Sequence, residues 1–212
     1  MVSVDFLGSQ LFALGFAGLL VLYMAAQSYV LFRRGKKAGS IVSSGAIPLI
    51  AVGAYMFISG MFGQLAWPLP GSYNVLFYDL YPLVGALFIA IGVSAYKKFS
   101  MQYTGLLSLL TGIMAILYGI NGYLLGLTKE PLAMLALYAS FGIAGMLGWP
   151  VSIIADRNEM GARNKGSGWV MLIILFCVIL FLASILSLYI GVSAIYQDIY
   201  RLADSPAIIA LE

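Results

Sequence analysis

Uncharged apolar residues run through this chain in six long stretches, about residues 8–32, 45–66, 79–96, 104–127, 131–155 and 169–197. Roughly 20 apolar residues carry an α-helix across a bilayer core, and each stretch is near or above that length. The pattern predicts an all-α polytopic membrane protein, a single domain of six transmembrane helices. Its loops are Arg33–Ser44, Trp67–Tyr78, Lys97–Tyr103, Thr128–Glu130 and Asp156–Gly168. Helix-end chemistry fits these boundaries. Asp79 is expected to cap the third helix with Pro82 in its first turn, Pro131 to open the fifth, and Ser167 to cap the sixth. The sixth run exceeds the thickness of the core, so it should tilt or project, with Tyr189, Tyr196 and Tyr200 near the surface. Beyond it, Ser205–Glu212 reads as a short apolar external tail that wants a partner surface.

Composition agrees with lipid as the solvent. Of 212 residues, 62% are apolar and 9% charged, whereas charged residues make up about a quarter of a soluble domain. No Lys or Arg precedes the first run and no small-residue cleavage site follows it, so the first span is expected to be retained. Charge then assigns the sides. Arg33, Arg34, Lys36, Lys37, Lys97, Lys98, Arg157, Arg163 and Lys165 all follow odd-numbered spans, while the other side carries Asp5, Asp79, Glu130, Asp198, Asp204 and Glu212 with only Lys129 and Arg201. The positive-inside rule puts the basic loops in the cytoplasm and both termini outside, in a cell membrane. Trp67, Trp149 and Trp169 fall at span ends, where indoles favour the headgroup level.

The residue inventory removes several chemistries. There is no histidine, and with it go the usual haem ligand, the commonest zinc ligand and the histidine-dependent nucleophile pairs. Cys177 is the single cysteine, so no intrachain disulfide forms. No charged residue occupies the centre of a span, which disfavours a proton relay, a voltage sensor or a substrate counter-ion. The ten methionines are dispersed and read as packing residues rather than as a soft-metal site. No catalytic residue, metal ligand set or nucleic-acid surface is identified.

Two stretches stand out. In the fourth span Gly105, Ser108, Gly112, Ala115, Gly119, Gly122 and Gly126 alternate by three and four, which places small residues on one helix face. Such a face admits close helix packing, with Gly142, Gly145 and Gly148 of the fifth span as a partner; lining of a pore is the alternative. The other stretch is the hairpin from Trp67 to Asp79, fixed by Pro68, Pro70 and Gly71. Gln64, Trp67, Tyr73, Asn74, Tyr78 and Asp79, with Asn121 deeper in the membrane, are the candidate outer-cavity contacts for a solute or quinone. The competing reading makes Asp79 a cap, Trp67 an interface anchor and the prolines simple shapers of the turn.

The run Trp67-Pro-Leu-Pro-Gly-Ser-Tyr-Asn-Val-Leu-Phe, with Gly85 in the following span, resembles the signature of a largely archaeal integral-membrane family of unknown function. The resemblance implies a membrane fold of this size and no particular activity. Topology alone is also similar to that of the six-helix urea and amide channels, without a shared motif. Two functions follow as expectations. One is a non-catalytic subunit of a larger membrane complex, handling electrons or quinone, with membrane lipids, other subunits or further copies of itself as partners. It carries no cofactor of its own beyond a lipid or quinone. The other is an oligomeric facilitator for a small neutral solute.

Overall fold

A computed structural model describes residues 7–34, 39–159 and 167–203. Seven helices account for them: α1 (Leu7–Arg33), α2 (Gly39–Ala66), α3 (Ser72–Tyr78), α4 (Leu80–Lys97), α5 (Gln102–Leu124), α6 (Pro131–Glu159) and α7 (Ser167–Ala203). No strand occurs among the described residues. Six segments are long and apolar enough to cross a membrane, with α3 and α4 together forming the third. Large apolar side chains such as Ile58, Leu65, Leu110, Met171 and Leu182 stand exposed around the bundle, as expected of a surface solvated by lipid. The protein is a six-span membrane protein. Asp5, Lys36, Lys37, Arg163, Lys165, Asp204 and the tail Ser205–Glu212 lie outside the described residues.

The spans pack as a ring in chain order: α1 on α2, α2 on α4, α4 on α5, α5 on α6, α6 on α7, and α7 back on α1. Three pairs within it make the closest approaches, and small residues permit each. In a bilayer the hydrophobic effect does not drive helices together, so association rests on dispersion and interhelical hydrogen bonds, both of which need short separations. On α5 and α6, a Cβ placed on Gly112 would lie 2.5 Å from the Gly142 carbonyl oxygen, and one on Gly145 would lie 2.9 Å from the Ser108 carbonyl oxygen. The Ser108 hydroxyl uses this proximity, donating to the Gly145 carbonyl at 2.9 Å. Gly53 and Gly85 bring α2 and α4 together in the same way. Between α1 and α7, Ser187 donates to the Leu11 carbonyl at 2.7 Å.

Three sequence expectations are revised here. Helical structure in the third span begins at Ser72, not at Asp79, so most of the expected Trp67–Tyr78 loop is helix. The chain keeps helical angles at Asp79 (φ −70, ψ −47), and the helix breaks there because Pro82 has no N–H for the Tyr78 carbonyl. Asp79 makes no side-chain capping bond to α4. Gly126 lies beyond α5 rather than on its packing face. It takes φ +58 with nothing within 4 Å of a would-be Cβ, and the bonds Leu127 N–H to Gly122 O and Gly126 N–H to Tyr123 O close a Schellman turn.

Candidate functional site

The hairpin expected to shape an outer cavity is a clasp. Pro68 disfavours the right-handed helical region for the residue before it, and Trp67 ends α2 at φ +47. Gly71 then takes φ 53, ψ −128, a region that suits only glycine. The turns Tyr73 N–H to Pro70 O and Asn74 N–H to Gly71 O wind the chain into α3. Asn74 is 0% exposed; it accepts from the Leu69 N–H at 3.2 Å and donates to the Gly63 carbonyl at 3.2 Å. Its amide therefore sews the loop to the end of α2. Tyr78 lies buried with its ring directly against Gly63. Gln64 donates to the Asp79 carbonyl at 3.4 Å.

Asp79, the one carboxylate of this region, accepts from the Tyr118 hydroxyl of α5 at 3.2 Å. From α6 the Tyr138 hydroxyl donates to the Leu76 carbonyl at 2.5 Å. These two tyrosines moor the broken third span to the α5–α6 pair. Tyr73 stacks on Phe77, and Trp67 is exposed. Asn121 is not brought to the group at all: it is exposed on α5 and donates to the Leu117 carbonyl of its own helix at 2.8 Å. The expected outer cavity is thus replaced by a hydrogen-bonded corner whose polar groups serve one another. Replacing Asn74 with leucine, of similar size, strands the half-buried Leu69 N–H while Gly63 O keeps its bond from Trp67 N–H. A loss of about 1–3 kcal/mol is expected, read as a lower melting temperature in detergent.

The small residues of α5 divide along its length. Gly105 faces Trp149 and Ser152, Gly112 faces Gly142, and Gly119 sits 2.6 Å, in would-be Cβ terms, from Tyr138 Cβ. Gly122 instead faces Leu76 of α3, and Ala115 is buried. At the opposite end from the hairpin, Asp156 of α6 caps α5 across the helix pair. Its Oδ1 accepts from Met101 N–H at 2.8 Å, and its Oδ2 accepts from Gln102 N–H at 3.0 Å and the Ser100 hydroxyl at 2.6 Å. A carboxylate at a helix N-terminus satisfies orphan donors and complements the helix dipole.

The cavity that does exist lies inside the ring. It has a volume of about 770 Å³ and is bounded chiefly by α1, α4, α5 and α6, with Phe176 and Leu180 contributed by α7. On α4 its wall runs from Leu80 to Lys98, roughly 27 Å at 1.5 Å per residue, close to the depth of a bilayer core. The middle is apolar, with Leu14, Val21, Met24, Leu87, Phe88 and Phe141. Polar groups lie at its ends, Gln10, Tyr81 and Tyr138 near the hairpin and Ser28, Lys98 and Asp156 at the other, and on its α5 wall, where Ser108 and Thr111 line it. Most of the hydroxyls are already engaged. Tyr81 donates to the Gln10 carbonyl at 3.0 Å, Thr111 to Leu107 O and Ser152 to Trp149 O.

Gln10 differs. It is 3% exposed, and its side-chain nitrogen has no hydrogen-bond partner. Sequence reading passed over it because a lone amide three residues into the first span looks like an interface residue. The available signal was its register: Gln10 and Ser28 lie roughly five turns apart on one face of α1. No group of three or more Cys, Asp or Glu near enough to hold a metal occurs among the described residues. Among the described residues the polar groups named here form no nucleophile–base pair: Asp156 serves as a cap and Asp79 accepts from Tyr118.

The chain belongs to the DUF981 family, described as proteins of unknown function, whose sequence model matches residues 1–201. No curated protein and no solved structure matches it.

Proposed function

We propose that this protein is a non-catalytic membrane component that holds an elongated apolar molecule, a lipid chain or quinone-type tail, inside its ring of helices. The central cavity carries this reading. A chamber of about 770 Å³ with a wall mostly of leucine, valine and phenylalanine has the size and the lining to take an elongated hydrocarbon chain. Water is a poor occupant of an apolar middle whose nearby hydroxyls are already bonded, because each buried water needs about 2–4 polar partners. A hydrocarbon chain needs none. The same apolar middle favours retention of such a molecule over passage of a small polar solute, which needs hydrogen-bonding groups along its path.

The direct test is native mass spectrometry of the protein purified in gentle detergent. An apolar adduct released only on unfolding supports the reading, and a bare chain at every detergent concentration overturns it. The same spectrum bears on assembly. Stoichiometric companion chains are the result expected of a subunit in a larger membrane complex, archaeal by the hairpin signature, and a clean homo-oligomer argues against that part of the proposal.

We place the protein in the cell membrane with both termini outside, on the distribution of its basic residues. In a Cys177→Ser background, Lys129→Cys is expected to react with a membrane-impermeant maleimide in intact cells. Lys97→Cys should react only after the cells are opened. The reverse pattern would invert the topology.

A further inference from the structure

We infer that the hairpin end of the central cavity is a head-group site, in which the Gln10 side-chain amide donates to a single uncharged oxygen acceptor, a hydroxyl or carbonyl, on the end of the bound apolar molecule. This rests on the reading of the cavity as a holder of elongated apolar molecules. Gln10 is buried, lines the cavity and has a side-chain nitrogen without a partner. Such a group costs stability unless something answers it. Among the described residues no acceptor reaches it; the neighbouring hydroxyls are held toward carbonyls, Tyr81 donating to the Gln10 carbonyl and Tyr138 to the Leu76 carbonyl.

Thr128 Oγ is the other such atom among the described residues, but it does not line the cavity. An unanswered donor in a mostly apolar chamber selects a ligand with one acceptor at that depth. The class is neutral, because no Lys or Arg is among the lining residues at this end; the single lysine of the wall, Lys98, belongs to the far end. An anionic head group would be buried there without a counter-charge, at a large cost. The acceptor's tail then extends past Leu14, Phe88 and Phe141 toward Phe99, along a mostly apolar wall into which α5 also sets Ser108 and Thr111.

The test compares two probes of equal length, a C20 prenyl alcohol and the corresponding C20 prenyl hydrocarbon, on detergent-purified protein stripped of native lipid. Binding is followed by competition against a fluorescent polyene. Wild type is expected to prefer the alcohol about tenfold, the factor given by one buried hydrogen bond otherwise left unmade. In Gln10→Leu the preference should vanish, with hydrocarbon affinity kept or raised. That variant replaces an unpartnered amide by an apolar group of similar size, so it should fold with a melting temperature at or above that of wild type. Equal binding of both probes by wild type overturns the head-group site and leaves the cavity reading standing. So does a preference that survives in Gln10→Leu. Binding of neither probe by wild type overturns both.

Discussion

Gly112→Leu is expected to lose the folded protein. A Cβ at this position meets the Gly142 carbonyl oxygen at 2.5 Å and the Met146 amide nitrogen at 2.8 Å, so the obstacle is backbone on the facing helix and cannot turn aside as a side chain does. Relief requires α5 and α6 to separate along their whole contact, which forfeits the Ser108–Gly145 hydrogen bond and the fit of Gly105 against Ser152. Overpacking that a core can partly absorb costs about 1–3 kcal/mol. Here the expected loss is about 3 kcal/mol or more, in the range reserved for severe core disruption. Size-exclusion yield and thermal melting in detergent measure it. Leu110→Ala, on the exposed face of the same helix, serves as the control and should melt as wild type does. A Gly112→Leu protein with wild-type yield and melting temperature would mean that the α5–α6 contact is not a structural seam.

The second large effect is on binding rather than on folding. Val84 is half-buried on α4 and faces the cavity between Tyr81 and Phe88. Tryptophan there would place a bulky ring across the chamber at a point where the bound chain must pass. The copurifying apolar adduct is expected to fall at least about tenfold, the factor that corresponds to some 1.4 kcal/mol of lost affinity. Because the ring fills space rather than displacing neighbours, the melting temperature of the lipid-stripped variant should equal or exceed that of stripped wild type. Native mass spectrometry and melting curves on the same preparations separate the outcomes. Undiminished adduct in a folded Val84→Trp protein would show that the adduct lies on the outer surface of the bundle.

The six spans were legible because lipid imposes a simple rule on sequence: about twenty apolar residues without charge, and breaks where charges collect. The rule failed where polar residues are paid for locally. Ser72, Tyr73 and Asn74 look like loop, yet Asn74 is buried with both ends of its amide bonded to backbone, and the helix starts at Ser72. Asp79 looks like a cap because it stands before an apolar run, but the chain is already helical there and its carboxylate turns to Tyr118. The periodicity of small residues on α5 was plain in the sequence; which helix meets each of them was not. Gly122 faces α3, a helix that the hairpin composition concealed.

The cavity itself left almost no trace in the sequence, because it arises from how six helices close into a ring. Its wall is made of the same leucines, valines and phenylalanines that elsewhere face lipid. Gln10 stands out in that wall for a buried side-chain nitrogen without a partner, and a single amide in an apolar run has no meaning until the helices around it are placed.

Occupancy of the central cavity is the claim on which the rest depends. An experimental density map of the protein reconstituted in native-lipid nanodiscs tests it most directly. The expected result is continuous elongated density between α1, α4, α5 and α6, ending beside Gln10. A chamber that is collapsed, or that contains only discrete water peaks from end to end, would contradict it.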